Sequence, residues 1–433
     1  MKISVIGCGY LGAVHAACMA ELGHEVVGID VDEAKIASLS AGRAPFFEPG
    51  LSEVLEGALA SGRLRFSTDL AQARGAAVHF VAVGTPQSPG SDAADLRFVD
   101  AAFEAIAEHL AAGDLVVGKS TVPVGTAERI ASGIEAAGAR LAWNPEFLRE
   151  GFAVQDTLAP DRLVYGVRPG DDGSVATLDA VYAAAIEAGT PRVVTDYATA
   201  ELVKVAANAF LATKISFINA MAEVAEVTGA DVTQLADAIG YDARIGRRFL
   251  NAGVGFGGGC LPKDIRGFMA RADELGVGEA LEFLRDVDAI NLRRRQRVVD
   301  LVADAVGGDL SGVRVAVLGL AFKPDSDDVR DSPALDVASR LRALGADVRA
   351  TDPEAIETSR RVNPDLTFVH DVDDALRDAD VVVLVTEWRR YRELTPEDLD
   401  PLVARRIIID GRNVLDPALW RAAGWNYRGL GRP

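Results

Sequence analysis

Val5-Ile6-Gly7-Cys8-Gly9-Tyr10-Leu11-Gly12, an Ala/Met/Leu-rich stretch, then Glu25-Val26-Val27-Gly28-Ile29 and Asp30: this run decides the fold. It reads as strand, glycine-rich turn, helix, strand and acid, a complete βαβ unit. A GxGxxG match alone is weak. With a strand before it, a helix after it and an acid 18 residues past its last glycine, it is strong. Gly7, Gly9 and Gly12 let the backbone close on a pyrophosphate at the positive N-terminus of the helix. Asp30 can accept hydrogen bonds from ribose hydroxyls and would repel a 2′-phosphate, which favours NAD over NADP. The competing reading is a tight turn followed by an ordinary surface acid.

Further apolar runs follow at the spacing of alternating strands and helices. Ala77–Val83 ends in Gly84-Thr85-Pro86, Leu115–Gly118 in Lys119-Ser120-Thr121, and Arg140–Trp143 in Asn144-Pro145-Glu146-Phe147-Leu148-Arg149-Glu150. Continuous apolar strands alternating with helices predict a parallel, doubly wound sheet. Polar residues just after such strands sit at the carboxyl edge, where open α/β sheets bind ligands. Thr121, Glu146 and Glu150 are candidates by that position, with capping and turn chemistry as the alternative.

At about residue 197 the pattern changes. No Gly or Pro occurs from Tyr197 to Thr228, and apolar residues recur at helical spacing, so one long helix of the kind that serves dimer interfaces is expected. Lys204 and Asn208 share a face of it, either as a functional pair or as a solvated stripe. A second long helix is expected over Leu281–Ala305, with Arg293–Arg297 as its solvated face. Between them lies Phe249-Leu250-Asn251-Ala252-Gly253-Val254-Gly255-Phe256-Gly257-Gly258-Gly259-Cys260-Leu261-Pro262-Lys263-Asp264. So many glycines make a loop that can wrap a ligand closely. Pro262 fits the first turn of a helix. Cys260 would then stand at a helix N-terminus, where partial positive charge favours a thiolate, with Lys263 adding to the effect and Asp264 on the same face. The competing fate, a buried inert thiol, suits Cys8 and Cys18.

The C-terminal third repeats the opening theme. Val313–Gly319 reads as strand and turn, Gly345–Asp352 mirrors Gly23–Asp30, and Asp380–Thr386 resembles the Val78–Thr85 strand. The turn here is Gly319-Leu320-Ala321-Phe322-Lys323-Pro324: the extra glycines are missing and a lysine has arrived, which suits a phosphate ligand other than a dinucleotide. Arg330 and Arg412 could supplement it or be surface arginines. The expected architecture is α/β, with two Rossmann-like doubly wound parallel-sheet domains (1–196 and 298–433) joined by a long-helix central domain (197–297).

Bulk properties exclude several functions. The chain has 433 residues and a formal charge of −19, which argues against nucleic acid or an anionic membrane as partner. No uninterrupted apolar run reaches the roughly 18 residues that span a bilayer, and the opening strand is not a signal peptide. Three scattered cysteines suit neither a disulfide framework nor a zinc site, so no metal and a reducing, cytoplasmic setting are expected. Only seven of the 45 basic residues are lysines (2, 35, 119, 204, 214, 263 and 323), which draws attention to each.

Together these motifs, with Pro45-Phe46-Phe47-Glu48-Pro49-Gly50-Leu51, Ser120–Thr126, Asn144–Leu148, Asn208–Lys214 and Gly258–Asp264, give a chain that resembles the UDP-glucose/GDP-mannose dehydrogenase family along its whole length. The resemblance implies oxidation of a UDP-sugar at C6 to the acid, two NAD consumed in succession, and a thioester on Cys260. It implies that Lys204 and Asn208 stabilise the oxyanion, while Asp264, Thr121 and Glu150 handle a water and its protons. NAD would be held by Gly7, Gly9, Tyr10, Leu11, Gly12, Asp30, Lys35, Thr85, Thr121, Glu150, Lys263 and Arg330. The sugar nucleotide would meet Glu146, Phe147, Leu148, Lys204, Asn208, Arg244, Phe249, Leu250, Gly257, Phe322 and Lys323, with Arg244 reaching a neighbouring subunit's ligand in a homodimer or higher oligomer. Arg244-Ile245-Gly246 with Phe249-Leu250 favours UDP-glucose over GDP-mannose or an N-acetyl sugar. Phe152 departs from the family, whose members often have a small residue there. The rival classes are a two-electron hydroxyacid-type dehydrogenase and a non-catalytic NAD-binding redox sensor.

Overall fold

Short runs of valine, isoleucine and leucine, each closed by glycine or a polar residue, build two sheets in a computed structural model that describes residues 1–433. In the first, β1 (Lys2–Ile6) pairs in parallel with β2 (Glu25–Ile29) on one side and β4 (Val78–Val81) on the other. Adding β3 (Leu64–Ser67), β5 (Leu115–Gly118), β6 (Arg140–Trp143), β7 (Leu163–Gly166) and β8 (Arg192–Thr195) gives the order β3-β2-β1-β4-β5-β6-β7-β8. Its first six strands follow the dinucleotide-binding order, whose switch point lies between β1 and β4. The expectation of a wholly parallel sheet needs correcting. β7 runs antiparallel to β6 through the pair Trp143↔Gly166, because the chain returns after the short helix Ala153–Leu158 instead of crossing over.

The second sheet is parallel throughout. β9 (Arg314–Leu318), β10 (Asp347–Thr351), β11 (Thr367–Phe368), β12 (Val381–Leu384), β13 (Ile407–Asp410) and β14 (Asn426–Gly429) take the order β11-β10-β9-β12-β13-β14, the same winding as the first. Val381, Val382, Val383 and Leu384 are each fully buried, as expected of a strand covered on both faces.

Backbone contacts divide the chain into two compact units, Met1–Ala207 with Arg266–Gly278, and Asn208–Ile265 with Glu279–Pro433. The helix Tyr197–Thr228 contributes to both, as its 32 residues run on without interruption. By length and composition this helix is apolar enough to cross a bilayer, which a search for uninterrupted apolar runs overlooks. Burial of Glu201, Lys204, Asn208, Ser216 and Asn219 along it marks it instead as a core helix that carries polar chemistry.

Within the second unit the helix Phe283–Val306 packs on the later part of that helix, with Ser216 Oγ donating to Val287 O at 2.7 Å. Here Arg293–Arg297 is not a solvated face. Arg294 and Arg295 are 1% and 3% exposed, Arg294 on Glu226 (3.0 Å) and Arg295 on Asp331 (2.9 Å). Five consecutive residues cover more than one helical turn, so some must point inward, and carboxylates meet them there.

Candidate active site

In the first unit the dinucleotide turn closes as its sequence requires. A Cβ on Gly12 would lie 1.8 Å from Gly7 O, so only glycine lets the helix Tyr10–Glu21 approach the turn. Asp30, at the end of β2, accepts from Cys8 N (2.7 Å) and Lys35 Nζ (2.8 Å) through one oxygen and from Asp32 N (3.0 Å) through the other. A glycine-lined turn and a carboxylate beyond the next strand fit a pyrophosphate and an adenosine ribose. Because Lys35 offsets the charge of Asp30, preference for ribose hydroxyls rests on acceptor geometry more than on repulsion of a 2′-phosphate. Gly7, Gly9, Tyr10 and Leu11 frame this turn.

The strand-end loops converge beside it. Thr85 Oγ1 donates to Thr121 O at 2.9 Å, tying the loop after β4 to the loop after β5. After β6, Glu146 forms an ion pair with Lys204 at 3.0 Å and accepts from Leu148 N at 2.8 Å. Lys204 is buried, as are Asn208 and Glu150, so the reading of Lys204 and Asn208 as a solvated stripe falls away. The Lys204 ammonium also lies 5.5 Å from the centre of the Phe147 ring. Phe152 is half exposed, with Arg149 stacked 5.0 Å from its ring centre.

In the second unit the glycine loop runs over close neighbours. Gly258 N donates to Arg330 O at 2.8 Å, and a Cβ on Gly259 would fall 2.2 Å from the Arg330 guanidinium. Gly257 is buried against Asp331 O, and Phe322 lies against Gly258. Cys260 is exposed immediately before the helix Leu261–Glu274. One turn on, Asp264 N donates to Cys260 O at 2.9 Å, and the buried Asp264 carboxylate accepts from Asn208 Nδ2 (2.6 Å) and Lys263 Nζ (2.5 Å). By contrast Cys8 and Cys18 are buried, and burial pushes both thiols up to about 12. Cys260 is thus the one exposed cysteine of the three.

Other expected ligand residues fare unevenly. Arg244 is exposed and held by Asp242 at 2.6 Å, and Phe249 is partly exposed with a φ of 66°. Leu250 is 2% exposed in the core, leaving only its backbone to face a ligand. Lys323 stands over the Phe322 ring, 5.4 Å from its centre. Arg330 pairs with Asp328 at 2.6 Å. Arg412 is largely buried and so not a surface arginine. It donates to Val385 O, Gly255 O and Phe322 O at 2.8–3.0 Å, bracing the loops after β9 and β12. In this second sheet Asp352, the counterpart of Asp30, is buried and accepts from Leu320 N (2.7 Å), Ala321 N (3.1 Å) and Trp388 Nε1 (3.0 Å). Its other oxygen accepts from Glu354 N and Ala355 N, so both are occupied within the second unit.

Comparison with known proteins matches the family model of the UDP-glucose/GDP-mannose dehydrogenase NAD-binding domain to residues 1–186, the central domain to 198–293 and the UDP-binding domain to 316–417. A UDP-glucose 6-dehydrogenase from Rhizobium meliloti is 42% identical over 100% of both chains, and one from Bacillus subtilis is 42% identical over 100% of this chain and 93% of its own. The chain belongs to the UDP-glucose/GDP-mannose dehydrogenase family. Among solved structures, a UDP-glucose dehydrogenase from Pyrobaculum islandicum superposes with a TM-score of 0.91 at 41% identity, covering 100% of this chain and 98% of that one. A UDP-D-ManNAc dehydrogenase from Pyrococcus horikoshii reaches 0.86 at 28%, covering 100% and 99%.

This member of the UDP-glucose/GDP-mannose dehydrogenase family holds its strand-end loops with two buried carboxylates that carry no part in the expected site. Glu48 is buried and accepts from Gly151 N (2.6 Å), Ala153 N (2.7 Å) and the Tyr10 hydroxyl, joining the dinucleotide turn to the segment after Glu150. Glu201 accepts from Gly125 N and Ala127 N, both at 2.7 Å, and anchors the loop after Thr121; burial pushes its carboxyl up to about 7. Glu48 lies within the Pro45–Leu51 motif, whereas the sequence signal for Glu201 was a carboxylate in an otherwise apolar stretch. A cavity of about 210 Å³ lined by Pro123, Gly125, Thr126, Arg129 and Arg271 contains none of the expected catalytic side chains.

Proposed function

We propose that the chain oxidises the C6 alcohol of UDP-glucose to the carboxylate of UDP-glucuronate, with Cys260 as a covalent nucleophile. The observation that carries this is the exposed thiol at the head of Leu261–Glu274, whose first turn bears Lys263 and a hydrogen-bonded Asp264, in a chain whose other cysteines are buried. Identity of about 42% along the whole length to UDP-glucose 6-dehydrogenases, against 28% to a UDP-D-ManNAc dehydrogenase, supports glucose as the sugar.

The Gly7–Gly12 turn and Asp30 would hold NAD⁺, which would supply a hydride acceptor for each oxidation, and the chain's own residues do the rest. In the first oxidation the proton of the alcohol oxygen passes to the water that Asp264, Thr121 and Glu150 handle, and an aldehyde is left at C6. The Cys260 thiolate adds to that carbon, making a tetrahedral centre from which a second hydride can leave. Lys204 and Asn208, one turn apart on the helix Tyr197–Thr228, donate to the oxygen that becomes anionic at each stage. The second oxidation leaves a thioester. Water then adds, the C–S bond breaks, and the products are the carboxylate and the regenerated thiolate. Asp264, held by its two donors, accepts the proton of that water, assisted by Thr121 and Glu150. Glu146–Leu148, Phe322 and Lys323 hold the sugar nucleotide, with Lys263 and Arg330 completing the cofactor site. The reading predicts two NADH per UDP-glucose consumed at exhaustion, measured at 340 nm. A ratio of one would replace it with a two-electron dehydrogenase, and lower turnover of UDP-glucose than of GDP-mannose or UDP-N-acetylhexosamines would move the substrate.

The working form is a cytoplasmic homodimer built on the long helix. Phe210, Phe217, Val224 and Val227 are 67%, 48%, 52% and 84% exposed. With Ala206, Thr213 and Ala220 they recur at alternating spacings of four and three, the seam of a paired helix. Exposed phenylalanines in that register are covered by a second copy at lower cost than by water. Phe210→Asp with Phe217→Asp is expected to halve the mass seen by sedimentation equilibrium. An unchanged mass would place the interface elsewhere.

A further inference from the structure

The mechanism leaves one buried lysine unused. Lys119 closes β5, two residues before Thr121, and is 6% exposed. Its ammonium donates to Asn144 Oδ1 at 2.9 Å and Tyr182 OH at 3.2 Å, 5.7 Å from the centres of the Phe80 and Tyr182 rings. Asn144 is fixed in turn, accepting from Tyr182 OH at 2.7 Å and donating to Val164 O at 2.9 Å. Two residues beyond Asn144 stands Glu146, the partner of Lys204. Lys119 therefore ties the loop that carries Thr121 to the loop that carries Glu146.

The fold does not need this charge. A methionine fills nearly the same volume, and Tyr182 still donates to Asn144 without the lysine, so exchanging a buried ammonium held by neutral acceptors for an apolar side chain is neutral or stabilising. The charge matters for its neighbours. Glu146 and Lys204 together are neutral, and the field of such a pair falls off quickly. A third, positive charge leaves the cluster net cationic and draws on Glu146, freeing the Lys204 ammonium to donate elsewhere.

We propose that Lys119, as an ammonium, is a positioning residue that seats Asn144 and gives the Glu146–Lys204 pair the net positive charge needed by the developing oxyanion. This rests on the reading of Lys204 as an oxyanion donor. Burial first, then the nearby Lys204 charge, weakens the hold of Lys119 on its proton, and Glu146 strengthens it; the balance brings it down to about 8. Of the groups facing it, His15 on the helix Tyr10–Glu21 is held neutral, chiefly by burial and then by Lys119 itself, and burial pushes the Tyr182 phenol well up. Lys119 is thus the member of the pocket that changes charge near neutrality.

The test compares wild type, Lys119→Met and Tyr182→Phe in kcat and kcat/KM against pH, with melting temperatures. Wild type is expected to lose kcat/KM for UDP-glucose as pH rises through about 8, since the charged form is the active one. Lys119→Met should melt no lower than wild type, lose about 10- to 100-fold in kcat at pH 7, keep its KM for NAD⁺ and lack that alkaline limb. Tyr182→Phe removes one acceptor of the ammonium and should shift the limb to lower pH, which keeps the proposal testable if Lys119→Met fails to fold. Unchanged kcat and limb in Lys119→Met, or an unmoved limb in Tyr182→Phe, would overturn it. Two NADH per sugar in wild type separates failure here from failure of the underlying reaction.

Discussion

Cys260→Ser is expected to lower UDP-glucuronate formation on the order of 10⁴-fold or more, with the fold intact. A serine hydroxyl occupies the same exposed position before the helix Leu261–Glu274, so no packing is lost. What is lost is a nucleophile with a populated anion at neutral pH. Without it the aldehyde stays trigonal and has no hydride to give. Steady-state NADH formation, product chromatography and circular dichroism check this together. At most trace aldehyde should accumulate, and a folded variant making acid at near wild-type rate would refute the covalent step.

The second large effect belongs to Lys204. Lys204→Met removes a preorganised donor and is expected to lower kcat about 10²- to 10³-fold. It also strands Glu146, whose side chain is only 13% exposed and which is paired at 3.0 Å. Breaking one partner from a buried pair costs about 3 kcal/mol. Adding Glu146→Gln removes the stranded charge, so the double variant should regain most of the lost melting temperature and none of the lost kcat. If activity returned along with stability, Lys204 would be a structural partner of Glu146 and not an oxyanion donor.

What could be read from the sequence was local. The Gly7-to-Asp30 unit carries its spacing within a single βαβ stretch, and the Cys260 loop carries its glycines, proline, lysine and acid within a dozen residues. The helix Tyr197–Thr228 ends where the Gly- and Pro-free stretch does, just before Gly229. What escaped depends on partners far along the chain. Arg294 is buried because Glu226, 68 residues earlier, meets it. Arg412 braces backbone carbonyls up to 157 residues away, at Gly255, which its own motif does not announce. Glu48 reaches Gly151 across 103 residues, and Lys119 reaches Tyr182 across 63. Sheet direction is of the same kind. Nothing in Leu163–Gly166 itself says that it runs against β6, since that follows from the path of the chain between them. Leu250 stands between the cases: its motif is local, but its burial is decided by the core it enters.

The central claim is a bond between the Cys260 sulfur and the carbon being oxidised. It is tested most directly by mixing enzyme with UDP-glucose and NAD⁺, quenching in acid during the first turnover, and measuring the peptide that contains Cys260 by mass spectrometry. The account predicts that this peptide carries the mass of a UDP-glucuronyl group, released by hydroxylamine as expected of a thioester. Full NADH production with an unmodified Cys260 peptide at every quench time, or the adduct on another residue, would contradict it.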